Sequence, residues 1–324
     1  MIMPPSLVEA LDAEAAIAPA SQLSAASAEI SALYRREKKS SKGRFVSERV
    51  QRAAYAVTRM PATFAAMRAV LAEVHARAPE FEPASLLDLG AGPGTVVWAA
   101  TEVFPEIESA LLLEEDAGFI ELGERLIAAA GAGLSCVPQW RRAVLPGALP
   151  AGTHDLVTAS YVLNEMLPTP GRTLALDAWN ATAGVLVLVE PGTVEGYRLL
   201  LEVRELLVRE GAHLIAPCPQ TGACPLAATP EWCHFAQRLP RSKAHKQAKG
   251  ASLGFEDEKY CYLAFSRLPA SPAAARVIEE PRQLKHAANL RLCTADGTIE
   301  RTEIPKRDKE AFRRAKKLSW GDAW

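Results

Sequence analysis

The spacing of apolar residues changes character along the chain, and each change predicts a different kind of element. From residue 45 to about residue 78 the apolar positions recur at helical intervals, first Val50, Ala54 and Val57, then Phe64, Met67, Val70, Leu71 and Val74. Pro61 divides that stretch. Proline suits the first turn of a helix, so the pattern predicts two helices with the second opening there. Residues 1–30 are rich in Ala and Ser with few bulky apolars and predict at most a marginal helix. Between residues 85 and 200 short apolar runs alternate with helical periodicity. Strands are expected at 85–89, 110–113, 134–137, 155–160 and 185–190, then a helix at 194–210 and strands at about 212–216 and 260–266. Strands alternating with helices at this spacing call for a mostly parallel sheet covered on both faces. The fold class expected is therefore α/β, a Rossmann-like sheet of seven strands. The connection between the last two strands exceeds forty residues, too long for a bare loop. Residues 275–304 predict a small β unit with a hairpin turn at Asp296-Gly297. The organisation expected is a basic helical module over 1–78, a Rossmann-like domain over 79–268 with an insertion at about 216–259, and a C-terminal β unit with a basic tail over 269–324.

Composition adds limits. Hydrophobic residues make up 49% of the 324 and charged residues 23%, enough apolar material for a large core. The apolar run at 185–189 is far too short to span a bilayer, so no membrane partner is expected. The first residues carry Glu9, Asp12 and Glu14 before any basic cluster, unlike a secretory or transit peptide, and the expectation is a protein that stays in the cytoplasm where it is made. No heptad repeat argues for a coiled-coil dimer, and a monomer is expected. The net charge of −1 hides a segregation. Three segments, 35–59, 238–249 and 301–317, together carry +17, which leaves −18 for the rest. Such localised positive charge is either a footprint for a polyanion or three separate solvated faces.

The chemistry concentrates at two places. In Leu87-Asp-Leu-Gly-Ala-Gly-Pro-Gly-Thr95 a predicted strand enters a glycine-rich turn that opens a helix. Glycines at 90, 92 and 94 let the backbone bend sharply and approach a ligand where a Cβ would collide. The spacing departs from the dinucleotide pattern, whose last glycine is replaced by Thr95. Asp88 is a natural partner for the ammonium, or an ordered water, of a methionine moiety. Glu114, at the end of the next strand, is placed to accept from both ribose hydroxyls, with Glu115 and Asp116 as competitors. The cofactor expected is S-adenosylmethionine. Past the fourth strand, Asn164 and Glu165 are the candidate catalytic residues, although neither an Asn-Pro-Pro-aromatic motif nor a nucleophilic cysteine stands there. The second place is the cysteines. Cys218 and Cys224 stand in a repeated Cys-Pro, Cys233 follows eight residues later by count of the residues between, and Cys293 lies in the predicted β unit. Thiols at this density suit an iron–sulfur cluster, a structural zinc or free cysteines, and Cys261 competes with Cys293 as the fourth ligand. His234 beside Cys233 is a further possible ligand.

Together, Asp88-Leu-Gly-Ala-Gly-Pro-Gly, Val162-Leu-Asn-Glu, Val189-Glu-Pro-Gly-Thr, the Cys-Pro pair, Trp232-Cys-His-Phe, Arg59-Met-Pro-Ala-Thr and the Ser319-Trp-Gly-Asp ending resemble the methyltransferase-like assembly factors of the small ribosomal subunit. That family is best known from mitochondria and has bacterial members, and with no targeting peptide evident the setting expected here is a bacterial cytoplasm. The resemblance spans about residues 33–322. It implies binding of small-subunit ribosomal RNA, S-adenosylmethionine in the Rossmann-like site, and a four-iron, four-sulfur cluster on Cys218, Cys224, Cys233 and Cys293. Two alternatives stay open: an active rRNA methyltransferase, and a small-molecule methyltransferase with a structural zinc.

Overall fold

A computed structural model describes residues 3–36, 48–131 and 133–324. Lys38, Lys39, Lys42 and Arg44 of the first basic segment lie outside the described residues. The chain begins with helices α1 (Pro5–Ala15), α2 (Ala20–Arg36) and α3 (Arg49–Arg77). It then alternates through β1 (Ser85–Leu89), α4 (Thr95–Val103), β2 (Ser109–Glu114), α5 (Ala117–Ala130), β3 (Gln139–Arg142) and β4 (His154–Ser160). A 3-10 turn at Leu163–Glu165 leads to α6 (Pro168–Asn180), β5 (Thr182–Pro191), α7 (Val194–Arg209) and β6 (His213–Ala216). The long connection is structured: β7 (Phe235–Pro240) and α8 (Lys243–Ala248) precede β8 (Phe255–Ser266). Last come β9 (Ala275–Val277), β10 (Arg282–Gln283), β11 (Ala287–Thr294), β12 (Ile299–Pro305) and α9 (Lys309–Ala315).

The main sheet runs β3-β2-β1-β4-β5-β8-β6, parallel up to β5, with β8 inserted antiparallel between β5 and β6. β7 pairs with the first half of β8 and extends it as a hairpin. This is the Rossmann-like methyltransferase architecture. Its strands are apolar on both faces because helices cover both. Leu86, Val185, Val187 and Val189 pack with α1, α3, α4 and α5, while Leu87, Leu186 and Leu188 pack with α6 and α7. One-residue alternation thus divides a single core into two layers.

Several elements differ from expectation. The third strand lies at Gln139–Arg142 instead of 134–137. It is a largely exposed edge strand paired only with β2, so it needs no apolar signature. Pro61 starts no helix but lies inside the continuous α3, without an N–H for the Val57 carbonyl. The helix bridges this position because Ala56, Met60 and Phe64 are completely buried on either side of it. Within the N-terminal stretch read as a marginal helix, α1 and α2 are well packed: Leu7, Leu11, Leu23 and Ile30 are buried, and Glu14 accepts from Arg125 at 2.8 and 3.2 Å. The main sheet has eight strands because β7 adds to β8. The C-terminal strands form a second sheet, with β11 central, on which α9 lays Ala311, Phe312 and Ala315.

Candidate functional site

At the carboxyl ends of β1, β2 and β4 the glycine turn adopts positive φ at Gly90, Gly92 and Gly94. The three glycines serve different ends. A Cβ on Gly90 would stand 2.6 Å from Val162 Cγ2, and one on Gly94 would stand 2.8 Å from the Trp140 ring. Both positions are closed by packing. Around Gly92 nothing lies within 4 Å of the same construction, so here the backbone faces open space at the mouth of the sheet. That is where a ligand could meet main-chain atoms.

The two predicted acids are held differently. Glu114 accepts from the Gly92 and Asp116 amides, both at 2.8 Å, so its first role is to tie the turn to the end of β2. Each oxygen keeps further lone-pair capacity for a hydroxyl donor. Asp116 caps α5 and meets Arg52 of α3 at 3.3 Å, which explains why it does not face the turn. Gly118 leaves room for that guanidinium. Asp88 is completely buried; one carboxylate oxygen accepts from the Thr158 hydroxyl at 2.7 Å and the other has no partner. Burial pushes its carboxyl up to about 7, with the Thr158 bond opposing and the charge of Glu114 adding to the rise. An orphaned oxygen there suits a donor cation.

Asn164 and Glu165 sit on the 3-10 turn after β4. The side chain that positions them is Glu190, fully buried, whose carboxylate accepts from the amides of Leu163 at 2.9 Å and Asn164 at 3.3 Å. Its surroundings push it up to about 8 through burial, despite those two bonds. Glu165 stands exposed at the rim of the site, where the surrounding protein and the charge of Glu114 hold its carboxyl above its ordinary value. Tyr161, just before the turn, holds φ at +60°, a sparsely populated conformation for a bulky residue, and its hydroxyl donates to Glu258 at 3.2 Å. Tyr55 of α3 feels the charges of Glu165 and Glu114, so this N-terminal helix forms part of the wall. Sequence reasoning missed Thr158, Tyr161 and Glu190. Only Glu190 left a signal, a lone acid ending an otherwise apolar strand.

The cysteines come together on the opposite, α7, side of the sheet. Cys218, Cys224, Cys233 and Cys293 line one largely apolar cleft of about 650 Å³, its open mouth included, with Tyr197, Arg204, Arg276 and Ile299 on the same wall. Cys261 also borders it, but its thiol donates to the Cys233 carbonyl at 3.2 Å. Burial pushes the Cys218 thiol up, the Cys233 thiol well up, and the Cys293 thiol to about 12. Among the described residues, no three His, Cys, Asp or Glu stand closely enough to hold a single metal ion. Two arginines brace the cleft. Arg204 donates to the carbonyls of Gln220 and Gly222, each at 2.8 Å, and so fixes the loop between Cys218 and Cys224. Arg276, 1% exposed, donates to Pro217 at 2.8 Å, to Gly321 at 2.9 Å and to Glu73 of α3 at 2.6 Å. One guanidinium thus joins the cysteine loop, the chain end and the N-terminal helix. His234 stacks on Trp232 at 5.1 Å and meets Trp320 edge-on at 4.6 Å, so two motifs distant in sequence close one aromatic seam.

Comparison with known proteins gives this geometry a setting. The chain is 28% identical over 294 residues to the human mitochondrial ribosome assembly protein METTL17, covering 83% of this chain and 61% of that protein. It is 25% identical over 328 residues to Rsm22-cox11 tandem protein 2, mitochondrial, of Schizosaccharomyces pombe, covering 83% and 42% respectively. The chain therefore spans about six-tenths or less of the length of these relatives. Among solved structures it resembles magnesium protoporphyrin IX methyltransferase from Synechocystis with bound S-adenosylhomocysteine, at 12% identity and a TM-score of 0.43 over 72% of this chain and 92% of that one. It also resembles precorrin-6y C5,15-methyltransferase from Geobacter metallireducens, at 13% identity and a TM-score of 0.39 over 71% and 94%. The family model described as mitochondrial small ribosomal subunit Rsm22 matches residues 49–324, and the chain belongs to that family.

Proposed function

We propose that this protein assists assembly of the small ribosomal subunit by binding its RNA, with S-adenosylmethionine in the glycine turn and an iron–sulfur cluster on Cys218, Cys224, Cys233 and Cys293. The observation that carries the reading is the gathering of four cysteines from separate segments on one apolar wall, beside Arg204 and the buried Arg276. Four thiols in a pocket wider than a mononuclear site suit a polynuclear cluster, which spreads its ligands around a larger core. Its net negative charge would be offset by the two guanidiniums. Zinc is the rival occupant. The cofactor site fits for its own reasons: Gly92 leaves the space, Asp88 presents an unpartnered oxygen, and Glu114 has acceptor capacity to spare. When bound, S-adenosylmethionine supplies an activated methyl group.

Anaerobic purification followed by an absorbance spectrum and iron, sulfide and zinc analysis tests the reading. A brown protein with near-stoichiometric iron and sulfide, lost in Cys218→Ser, is the expected result. Colourless protein holding zinc would move the cysteines to a structural role. Protected protein with neither metal would sink the cluster. A second reading, methyl transfer onto the RNA, is favoured by the strained Tyr161 and by Glu165 at the cleft rim. Labelled methyl groups appearing in small-subunit rRNA and vanishing with Gly92→Arg would establish it, and transfer that never occurs on any subunit RNA would remove it.

A further inference from the structure

The structure treats the three basic segments of the sequence unequally. In the segment 238–249, Arg238 is bound to Asp257 at 2.7 and 2.8 Å, while Arg241, Lys249 and His245 all converge on Glu256. Three of its five cations are thus spent within the β7–β8 hairpin, and among the described residues only Lys243 and Lys246 are left without an acid. In the first segment, Arg52 is spent on Asp116. The C-terminal segment differs. Lys306, Arg307, Lys309, Arg313 and Lys317 are exposed, and among the described residues they pair with no acid.

Two contacts add to this patch. The Lys306 amide donates to the His286 carbonyl at 2.8 Å, which brings the β10–β11 loop with Lys285 alongside. Gln283 donates to the Ala315 carbonyl at 3.3 Å, which seats the end of α9 over β10. Two further cations are fixed on rings of the same unit, Arg314 at 4.6 Å from Trp324 and Lys316 at 5.9 Å from Phe312. These cation–π contacts restrain long side chains before any partner arrives. Phe312 and Trp324 are half-buried and these cations cover their faces; the large apolar residue exposed here is Leu284, and no exposed aromatic accompanies it.

We infer that this end of the C-terminal β unit, formed by α9, the start of the 305–309 turn and the β10–β11 loop, docks on the phosphate backbone of a double-helical RNA segment. The inference rests on the reading of the protein as an RNA-binding assembly factor and names the surface that does the binding. A dense, unpaired set of cations recognises phosphates. Single-stranded RNA is gripped mainly by stacking its bases on exposed aromatic rings, which this surface lacks, so the paired form is the partner. An acidic protein surface is the competing partner that the experiment must separate.

The test uses the full chain and two variants, Lys306→Glu/Lys309→Glu and Arg313→Glu/Lys317→Glu, with Arg209→Glu, exposed on α7, as the control. Affinity for a small-subunit rRNA transcript is measured across a salt series, with an unrelated RNA duplex and poly(U) as competitors. Unchanged circular dichroism and melting establish that the variants fold. Each double variant is expected to weaken binding about tenfold or more and to flatten the slope of log affinity against log salt by about 2, since each lost phosphate contact removes a little under one unit. The control is expected to bind normally, and the duplex to compete better than poly(U). Variants that bind the transcript like the parent, at the same slope, would overturn the surface while leaving the assembly reading intact. Variants that bind naked RNA normally yet fail on the assembled subunit would assign the surface to a protein and overturn it also. Equal competition by poly(U) would overturn the choice of paired RNA. If the parent chain bound no ribosomal RNA at all, the functional reading would fall first and take the surface with it.

Discussion

Single residues in this protein divide by whether they face ligand space or packing, and the division makes sharp predictions. Gly92 borders open space, so Gly92→Arg is expected to abolish S-adenosylmethionine binding in calorimetry. The melting temperature should shift only by the modest strain of a side chain at positive φ, about 1 kcal/mol. Gly94→Ala should instead damage the fold, because its new methyl meets the Trp140 ring. The buried acids predict a pH dependence. Glu190 titrates near 8 in the folded chain against 4.5 as its ordinary value, and Asp88 near 7 against 3.8. The folded state therefore keeps protons that the unfolded chain has released, and stability falls as pH rises from about 4 towards 8. His234, held below its ordinary 6.5 by burial, acts in the opposite sense, but its effect is complete near that value. Between pH 7 and 8 the ligand-free protein is expected to lose thermal stability, and Glu190→Gln to flatten that slope; a melting temperature that climbs over this interval would contradict the assignment. The glycines, Asp88, Glu114 and the cysteines were legible in the sequence because their residue types are informative on their own. Thr158 and Glu190 were not, since a threonine or glutamate acquires its role only from what the fold sets against it.

At the scale of elements, legibility followed burial. β1, β2, β4, β5 and β6 lie inside the sheet or under helices, and their apolar runs announced them. β3, with a largely exposed Gln-Trp-Arg-Arg sequence, and β7, which carries Arg238 and ends in Pro240, are edge pieces whose partly exposed positions leave no apolar signature. Tertiary packing likewise overrides the local signal in α3: its Pro61 reads locally as a helix start, yet packing against the sheet and α4 holds the helix together through it. The contact that ties elements most tightly is Arg276, which reaches from β9 to α3, to the cysteine loop and to the chain end. Arg276→Met leaves the Pro217 and Gly321 carbonyls without this donor and Glu73 with Arg77 alone. The expected loss is on the order of 3 kcal/mol, seen as a melting temperature lower by roughly 5 °C. A variant melting like the parent would show that the guanidinium is dispensable.

For the whole molecule, a mostly parallel sheet and the meeting of four cysteines were legible in outline, whereas the wall on which the cysteines meet was not, because spacing in sequence says nothing about which wall a residue will reach. The two sites share a connector. Gly192 at the end of β5 accepts the Trp232 indole at 3.0 Å beside Cys233, and Glu190 two residues earlier holds the turn of Asn164 and Glu165. Metal loss is therefore expected to weaken S-adenosylmethionine binding as well, and calorimetry on metal-loaded protein and on Cys218→Ser would detect it. One topological feature also sets a timetable. β8 lies between β5 and β6 in the sheet but follows both in the chain. While the nascent chain emerges, β6 has no partner and β5 is paired on its β4 side alone, so its other hydrogen-bonding edge stays bare beside Leu186 and Leu188. The fifty residues from the end of β6 to the end of β8 take about 3–10 s at ordinary translation speeds. Throughout that interval the half-made sheet offers strangers the same edge that its own strand will later claim, an opening for misassembly that closes only when β8 arrives.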